Sequence, residues 1–233
     1  MGPSIAPRRV PTLPLVTLGH LVLELSNNCM PVVYPLLVSA GRLTLTQVGA
    51  VTLAASMSAS LLQPVFGHLS DRWDARAITA LSVGMSAISI SLVGWPSAWP
   101  LLGLLVVGAM IGSAAFHPSG ATLVATSVCR ARATAMSVFS VGGTIGAALS
   151  PLAATAGIAW LGDPRGTGVV LPAGLISALL IYLWLRRDGG LAQRQVAAAA
   201  AQGTRSRRAL TGLGVIVAST LFRMWFQVSI MAP

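Results

Sequence analysis

The sequence contains no lysine and only five acidic residues, and 9% of its 233 residues are charged. Soluble domains carry about a quarter charged residues. A chain this poor in charge could not cover the surface of a water-soluble fold. Cysteine is almost missing too, with Cys29 and Cys129 alone. Both lie in or near apolar stretches, which suits small buried side chains better than a disulfide framework or a metal site. The motifs of hydrolytic enzymes are also absent. There is no HExxH, since His20 and Glu24 have only the spacing His-x-x-x-Glu, and no G-x-S-x-G or pair of catalytic carboxylates occurs. The sequence therefore predicts no enzyme, and no cofactor or metal motif is recognised.

What the chain has in abundance is apolar sequence: 55% of it is hydrophobic, with a mean hydropathy of +0.79. Seven apolar segments fall at about 13–39, 45–69, 77–95, 98–126, 133–161, 167–185 and 209–230. Each is near the roughly 20 residues that cross a bilayer core. Fourteen Pro and 24 Gly sit largely inside these runs, as membrane helices tolerate when neighbouring helices satisfy the freed backbone groups. The expected class is an all-α membrane protein whose first partner is the lipid bilayer. A cleaved signal peptide is the competing reading of the start, with Arg8 and Arg9 before an apolar run and Val38-Ser39-Ala40 as a cleavage site. The run is too long for that, and Glu24, Asn27, Asn28 and Pro31 interrupt it.

All fifteen basic residues are Arg, and the net charge is +10. In a soluble chain this would point to nucleic acid. Here the Arg are not clustered with aromatics; they punctuate the ends of apolar runs, as topology signals do. With the N-terminus inside, twelve fall on the cytoplasmic side and two, Arg42 and Arg165, opposite; Arg223 lies within the seventh segment. The N-terminus is thus expected to be cytoplasmic. The expected organisation is a cytoplasmic arm at 1–11, a six-helix unit at 12–187, a basic linker at 188–208 and one further helix in 209–233. This resembles the first half of a larger bundle with the opening of a second.

The densest charge cluster lies in Leu61–Arg76, LLQPVFGHLSDRWDAR, where an apolar run breaks at Gly67 and restarts after Arg76. Gly67, Leu69, Ser70, Asp71, Arg72 and Arg76 resemble the loop signature between the second and third helices of the major facilitator superfamily. Asp74 replaces that signature's usual Gly, and Ala75 one of its basic residues. Ser140–Pro151, SVGGTIGAALSP, is similar to the Gly-rich, Pro-ended motif of superfamily exporters. Gly19–Leu25, Ser60–Arg72 and Ala114–Ala121 (AAFHPSGA) together resemble the fosmidomycin-resistance branch of antibiotic exporters. The resemblance implies a six-helix half bundle plus a seventh helix, in the inner membrane of a bacterium. It implies proton-coupled efflux of a small drug-like or organic solute. By the same resemblance the loop of Gly67, Asp71, Arg72 and Arg76 gates the cytoplasmic face, and Ala218–Phe226 opens the second half.

Several residues are candidates for chemistry. An ionisable group in a span costs several kcal/mol and so faces a cavity or a partner. Glu24 is the one carboxylate well inside a predicted span. His20, Asn27 and Asn28 lie four before, three after and four after it, forming a polar stripe at helical spacing. A carboxylate held between desolvation and a neighbouring imidazole can load and release a proton. Glu24 and His20 are therefore candidates for proton coupling; the alternative is a polar patch satisfied by the opposite half that never titrates. His117 precedes Pro118, whose ring deprives the Ala114 carbonyl of its donor. It lines a cavity or bonds locally at a kink. Arg223 pairs with Glu24, receives an anionic solute, or snorkels to a membrane face. Asn27, Asn28 and Gln63 are further cavity candidates. Asp71 is read as a cap for the third helix, and Gly142, Gly143, Gly146 and Pro151 as aids to close helix packing. Two other readings remain beside the transporter: a half-size protein completed by its missing second half or a second copy, and a structural membrane subunit.

Overall fold

The computed structural model describes residues 12–128 and 131–187. The arm at 1–11, the linker at 188–208, the seventh segment and Arg223, Cys129 and Arg130 lie outside the described residues. Within them the chain is helical and no strand occurs. The helices are α1 (Thr12–Asn27), α2 (Met30–Ser39), α3 (Leu45–Arg72), α4 (Ala75–Leu92), α5 (Trp99–Ser127), α6 (Arg132–Leu161) and α7 (Leu171–Arg186), with a 3-10 turn at Pro164–Val170 before α7. Counting α1 with α2, and the turn with α7, six stretches are long and apolar enough to cross a membrane.

The elements begin and end where local chemistry dictates. Thr44 and Gln47 form a reciprocal capping box at the start of α3. Gly41, with φ of +68°, closes α2 in a Schellman motif: its N–H donates to the Val38 carbonyl, and Arg42 N–H donates to Leu37. Gly162, also left-handed at +64°, ends α6.

Three expectations need correcting. The first span is not one helix over 13–39 but two, broken at Asn28–Cys29, because Pro31 has no N–H to continue the ladder and instead begins α2. The second helix does not break at Gly67; it runs on to Arg72, so the turn is only Trp73–Asp74. The cap of α4 is Asp74, whose carboxylate accepts from Arg76 N–H at 3.0 Å. Asp71 lies in the last turn of α3, one turn too early for that task.

α1 packs on α6, α3 on α5, and α4 between its chain neighbour α5 and the more distant α7. Small residues set the spacing. A Cβ at Gly146 of α6 would strike the Leu21 carbonyl of α1, and one at Gly142 would meet Thr17. On α4, Ser86 donates to the Ala109 carbonyl of α5 at 2.8 Å, and a Cβ at Gly112 would lie 2.7 Å from Ser86 Oγ. Without water-driven burial between helices, such close contacts and interhelical hydrogen bonds hold a membrane bundle together. The outer faces carry exposed Leu, Ile and Val, and Trp73 and Trp184 are exposed at one end, Trp95, Trp99 and Trp160 at the other, as in the aromatic belts of membrane proteins.

The Trp95 end is locked by Arg42. Its guanidinium donates to the Gly94 carbonyl at 3.0 and 3.1 Å and to Pro96. Arg165 stacks over Trp95 at 4.7 Å.

Candidate functional site

His20 is eight residues into α1, about 12 Å of helical rise, and His117 is ten residues before the end of α5, about 15 Å. Thr12 and Ser127 lie at the same end of the bundle as the α3–α4 turn, so the two imidazoles meet at similar depth. Their ring centroids are 5.2 Å apart in an edge-to-face arrangement. Glu24 lies between them: its Oε1 is 3.4 Å from His117 Nε2 and 3.8 Å from His20 Nε2. The other carboxylate oxygen accepts from Asn28 Nδ2 at 2.7 Å. His117 Nε2 also meets Ser113 Oγ, one turn earlier on α5, at 3.2 Å.

The His20 ring is fixed on every side. Its Nδ1 is 2.8 Å from the Phe139 carbonyl of α6. A carbonyl only accepts, so Nδ1 carries a proton, and in the neutral ring the Nε2 lone pair points towards Glu24. The ring stacks on Phe139 at 4.3 Å and tilts against Phe116 at 5.5 Å. It has this space because Gly143 has no side chain; a Cβ there would overlap the imidazole. Two turns further along α6, Ser150 Oγ donates to the Leu25 carbonyl at 2.6 Å, so α6 clasps α1 on both sides of Glu24.

The cluster is graded from closed to open. The side chains of His20, Glu24 and His117 are 10%, 19% and 34% exposed. The opening lies on a side the described helices leave uncovered.

The other candidate residues are scattered. Asn27 is buried, and both its side-chain polar atoms lack a hydrogen-bond partner among the described residues. Gln63 is exposed on α3, a turn before Gly67, where a Cβ would pack 3.8 Å from Pro118 of α5. Arg72 is exposed. Arg76 pairs with Asp74 at 2.7 Å and donates to the Leu185 carbonyl at 3.2 Å, tying the α3–α4 turn to the end of α7. Pro151 follows Ser150 within α6. Sequence reasoning missed Ser113, Phe116 and Phe139. Ser113 stands at i−4 from His117 and was findable by helical spacing; nothing in the sequence pointed to Phe139. A groove of about 750 Å³ between α4 and α7, lined by residues such as Leu81, Met85, Ile88 and Tyr182, shares no residue with the cluster and is almost wholly apolar.

Comparison with known proteins joins this geometry to a family. The profile described as Major Facilitator Superfamily matches residues 16–233. The chain belongs to the major facilitator superfamily. Members of that superfamily are transporters, not enzymes. The chain is 32% identical over 170 residues to the fosmidomycin resistance protein of Escherichia coli (strain K12), a match covering 72% of this chain and 41% of that protein. It is 30% identical over 189 residues to the MFS-type transporter YfnC of Bacillus subtilis (strain 168), covering 79% and 46%. The chain therefore spans less than half the length of these curated relatives. The fold is similar to the crystal structure of a bacterial homologue of the human lysosomal transporter Spinster, in an inward-facing and unoccupied conformation. The TM-score is 0.66 at 20% identity, over 80% of this chain and 44% of that one.

Proposed function

We propose that this chain forms one half of a secondary active transporter that exports a small drug-like or organic solute in exchange for protons. The observation that carries the reading is the half-open Glu24–His20–His117 cluster, in a bundle whose other buried polar side chains, among the described residues, are uncharged. A carboxylate in a span is costly unless it does something there. This one touches two imidazoles, the side-chain type most used to take up and release protons. The other half is supplied by the same protein or by a second copy. The likeness to a fosmidomycin resistance protein supports export and an anionic or polar solute, which Arg223 would receive.

In this reading the halves rock about a central cavity. A proton on the cluster biases one facing state over the other by its differential affinity for the two. Gly67, Asp71 and Arg72 at the end of α3 and Arg76 at the start of α4 help to close the face that carries most of the Arg, which is the cytoplasmic face of a bacterial inner membrane.

The test is transport by the full-length protein in everted membrane vesicles. Addition of solute to energised vesicles is expected to dissipate the proton gradient. Glu24→Gln is expected to abolish this while inserting normally. Wild-type flux that persists undiminished in Glu24→Gln would sink the coupling role.

A further inference from the structure

We infer that the atoms His20 Nε2, His117 Nε2 and Glu24 Oε1 form a binding site for a divalent transition-metal ion of the Zn²⁺, Co²⁺ or Ni²⁺ class. The inference shares its residues with the transport reading but does not depend on transport. No local motif hints at it, because His20 and Glu24 stand on α1 while His117 stands far along the chain on α5.

Three observations carry it. The first is distance. Metal–nitrogen and metal–oxygen bonds of about 2.0–2.2 Å put neighbouring ligands of a tetrahedral site roughly 3.4 Å apart. Glu24 Oε1 is already 3.4 Å from His117 Nε2 and 3.8 Å from His20 Nε2, and all three donors lie within 4.8 Å of one another. Small side-chain shifts complete the set.

The second is the direction of the lone pairs. The Phe139 carbonyl holds the His20 proton on Nδ1, which leaves a bare Nε2 facing a carboxylate oxygen. Two lone pairs turned towards each other in a low-dielectric setting repel unless a cation lies between them. A proton is one such cation; a metal ion, which meets all three donors at once, is another.

The third is the support behind the ligands. Metal-bound histidines commonly donate their second N–H to a carbonyl, and ligating carboxylates are commonly hydrogen-bonded in turn. His20 has its carbonyl in Phe139, and Glu24 has Asn28 on its other oxygen at 2.7 Å. Stacking on Phe139 and contact with Phe116 hold the His20 ring in place. Two imidazoles and one carboxylate favour late first-row metals over Mg²⁺ or Ca²⁺, which prefer all-oxygen sites. The remaining positions face the open side, leaving room for water or a solute group.

The experiment is a Co²⁺ titration of the full-length protein, purified without a polyhistidine tag and followed by visible absorption. A saturable one-equivalent band that Zn²⁺ displaces is expected. His117→Ala and Glu24→Gln should abolish the band, and Asn28→Ala should weaken binding by about 10–100-fold, as lost outer-shell partners do. His68→Ala, which removes the third histidine of the chain on exposed α3, should leave it unchanged. Circular dichroism and size-exclusion profiles identify variants that are folded, and Glu24→Gln, nearly isosteric, is the variant least disturbing to packing. No saturable band in the wild type, or a band that survives in folded Glu24→Gln and His117→Ala, overturns the inference. The vesicle assay runs separately: flux without Co²⁺ binding refutes only the metal site, and Co²⁺ binding without flux refutes only the transport reading.

Discussion

Gly143 of α6 lies directly against the imidazole of His20 of α1. The glycine serves as the fourth wall of a slot whose other walls are Phe116, Phe139 and the Phe139 carbonyl. A ring clasped in this way cannot absorb a thicker wall without disturbing its packing.

Gly143→Ala is therefore expected to destabilise the bundle by about 1–3 kcal/mol, the usual cost of overpacking. It should also turn His20 out of line with Glu24. Thermal unfolding in detergent reads the first effect. The second would appear as a loss of Co²⁺ absorption larger than that seen in Gly67→Ala, where an added Cβ makes only ordinary contact with Pro118 at 3.8 Å.

Within the charged turn, Asp74 and Arg72 should behave differently. Asp74 caps α4 and pairs with Arg76, so Asp74→Ala is expected to cost about 0.5–2 kcal/mol, as lost N-caps do. Arg72 is exposed, and Arg72→Ala should leave stability within about 0.5 kcal/mol. If transport nevertheless fails in Arg72→Ala, the residue acts on the conformational cycle and not on the fold. Paired unfolding and vesicle measurements on both variants decide this.

At the opposite end, Arg42 bridges the turn after α2 to the carbonyls of Gly94 and Pro96. Hydrogen bonds to charged groups contribute about 1.5–3 kcal/mol, and the site is only part-buried, so Arg42→Ala should cost about 1.5 kcal/mol. Lysine carries the charge but not the planar fork. Arg42→Lys is accordingly expected to recover less than half of the loss in the same unfolding assay.

Much of this was legible in the sequence. Six spans follow from apolar length, and the stripe of His20, Glu24 and Asn28 follows from a spacing of four along the sequence, although Asn28 stands just past the end of α1. Asn27, one residue off that register, does not join it. His117 was visible as an ionisable residue in a span, but not as a neighbour of Glu24, because helical periodicity says nothing about which helices meet. The Schellman turn at Gly41 and the capping box at Thr44 are written in local residue types. The break after Asn28 was obscured because the apolar run continues through it, although Pro31 marks the place. Arg76 reaching the Leu185 carbonyl, and Phe139 holding His20, depend on tertiary packing for which a single sequence carries no signal.

The pairing of α1 with α6, and not with its neighbours, has a consequence for biogenesis. The ribosome adds about 5–20 residues each second, so α1 waits in the translocon or bilayer for roughly 5–20 seconds before α6 is made. Through that interval the Phe139 carbonyl does not yet exist, and the α5 imidazole is added only near its end. His20 and Glu24, one turn apart on α1, and Asn28, just past its end, are until then the cluster's only members. The order of synthesis thus favours a first helix that brings its own polar partners, and this one does.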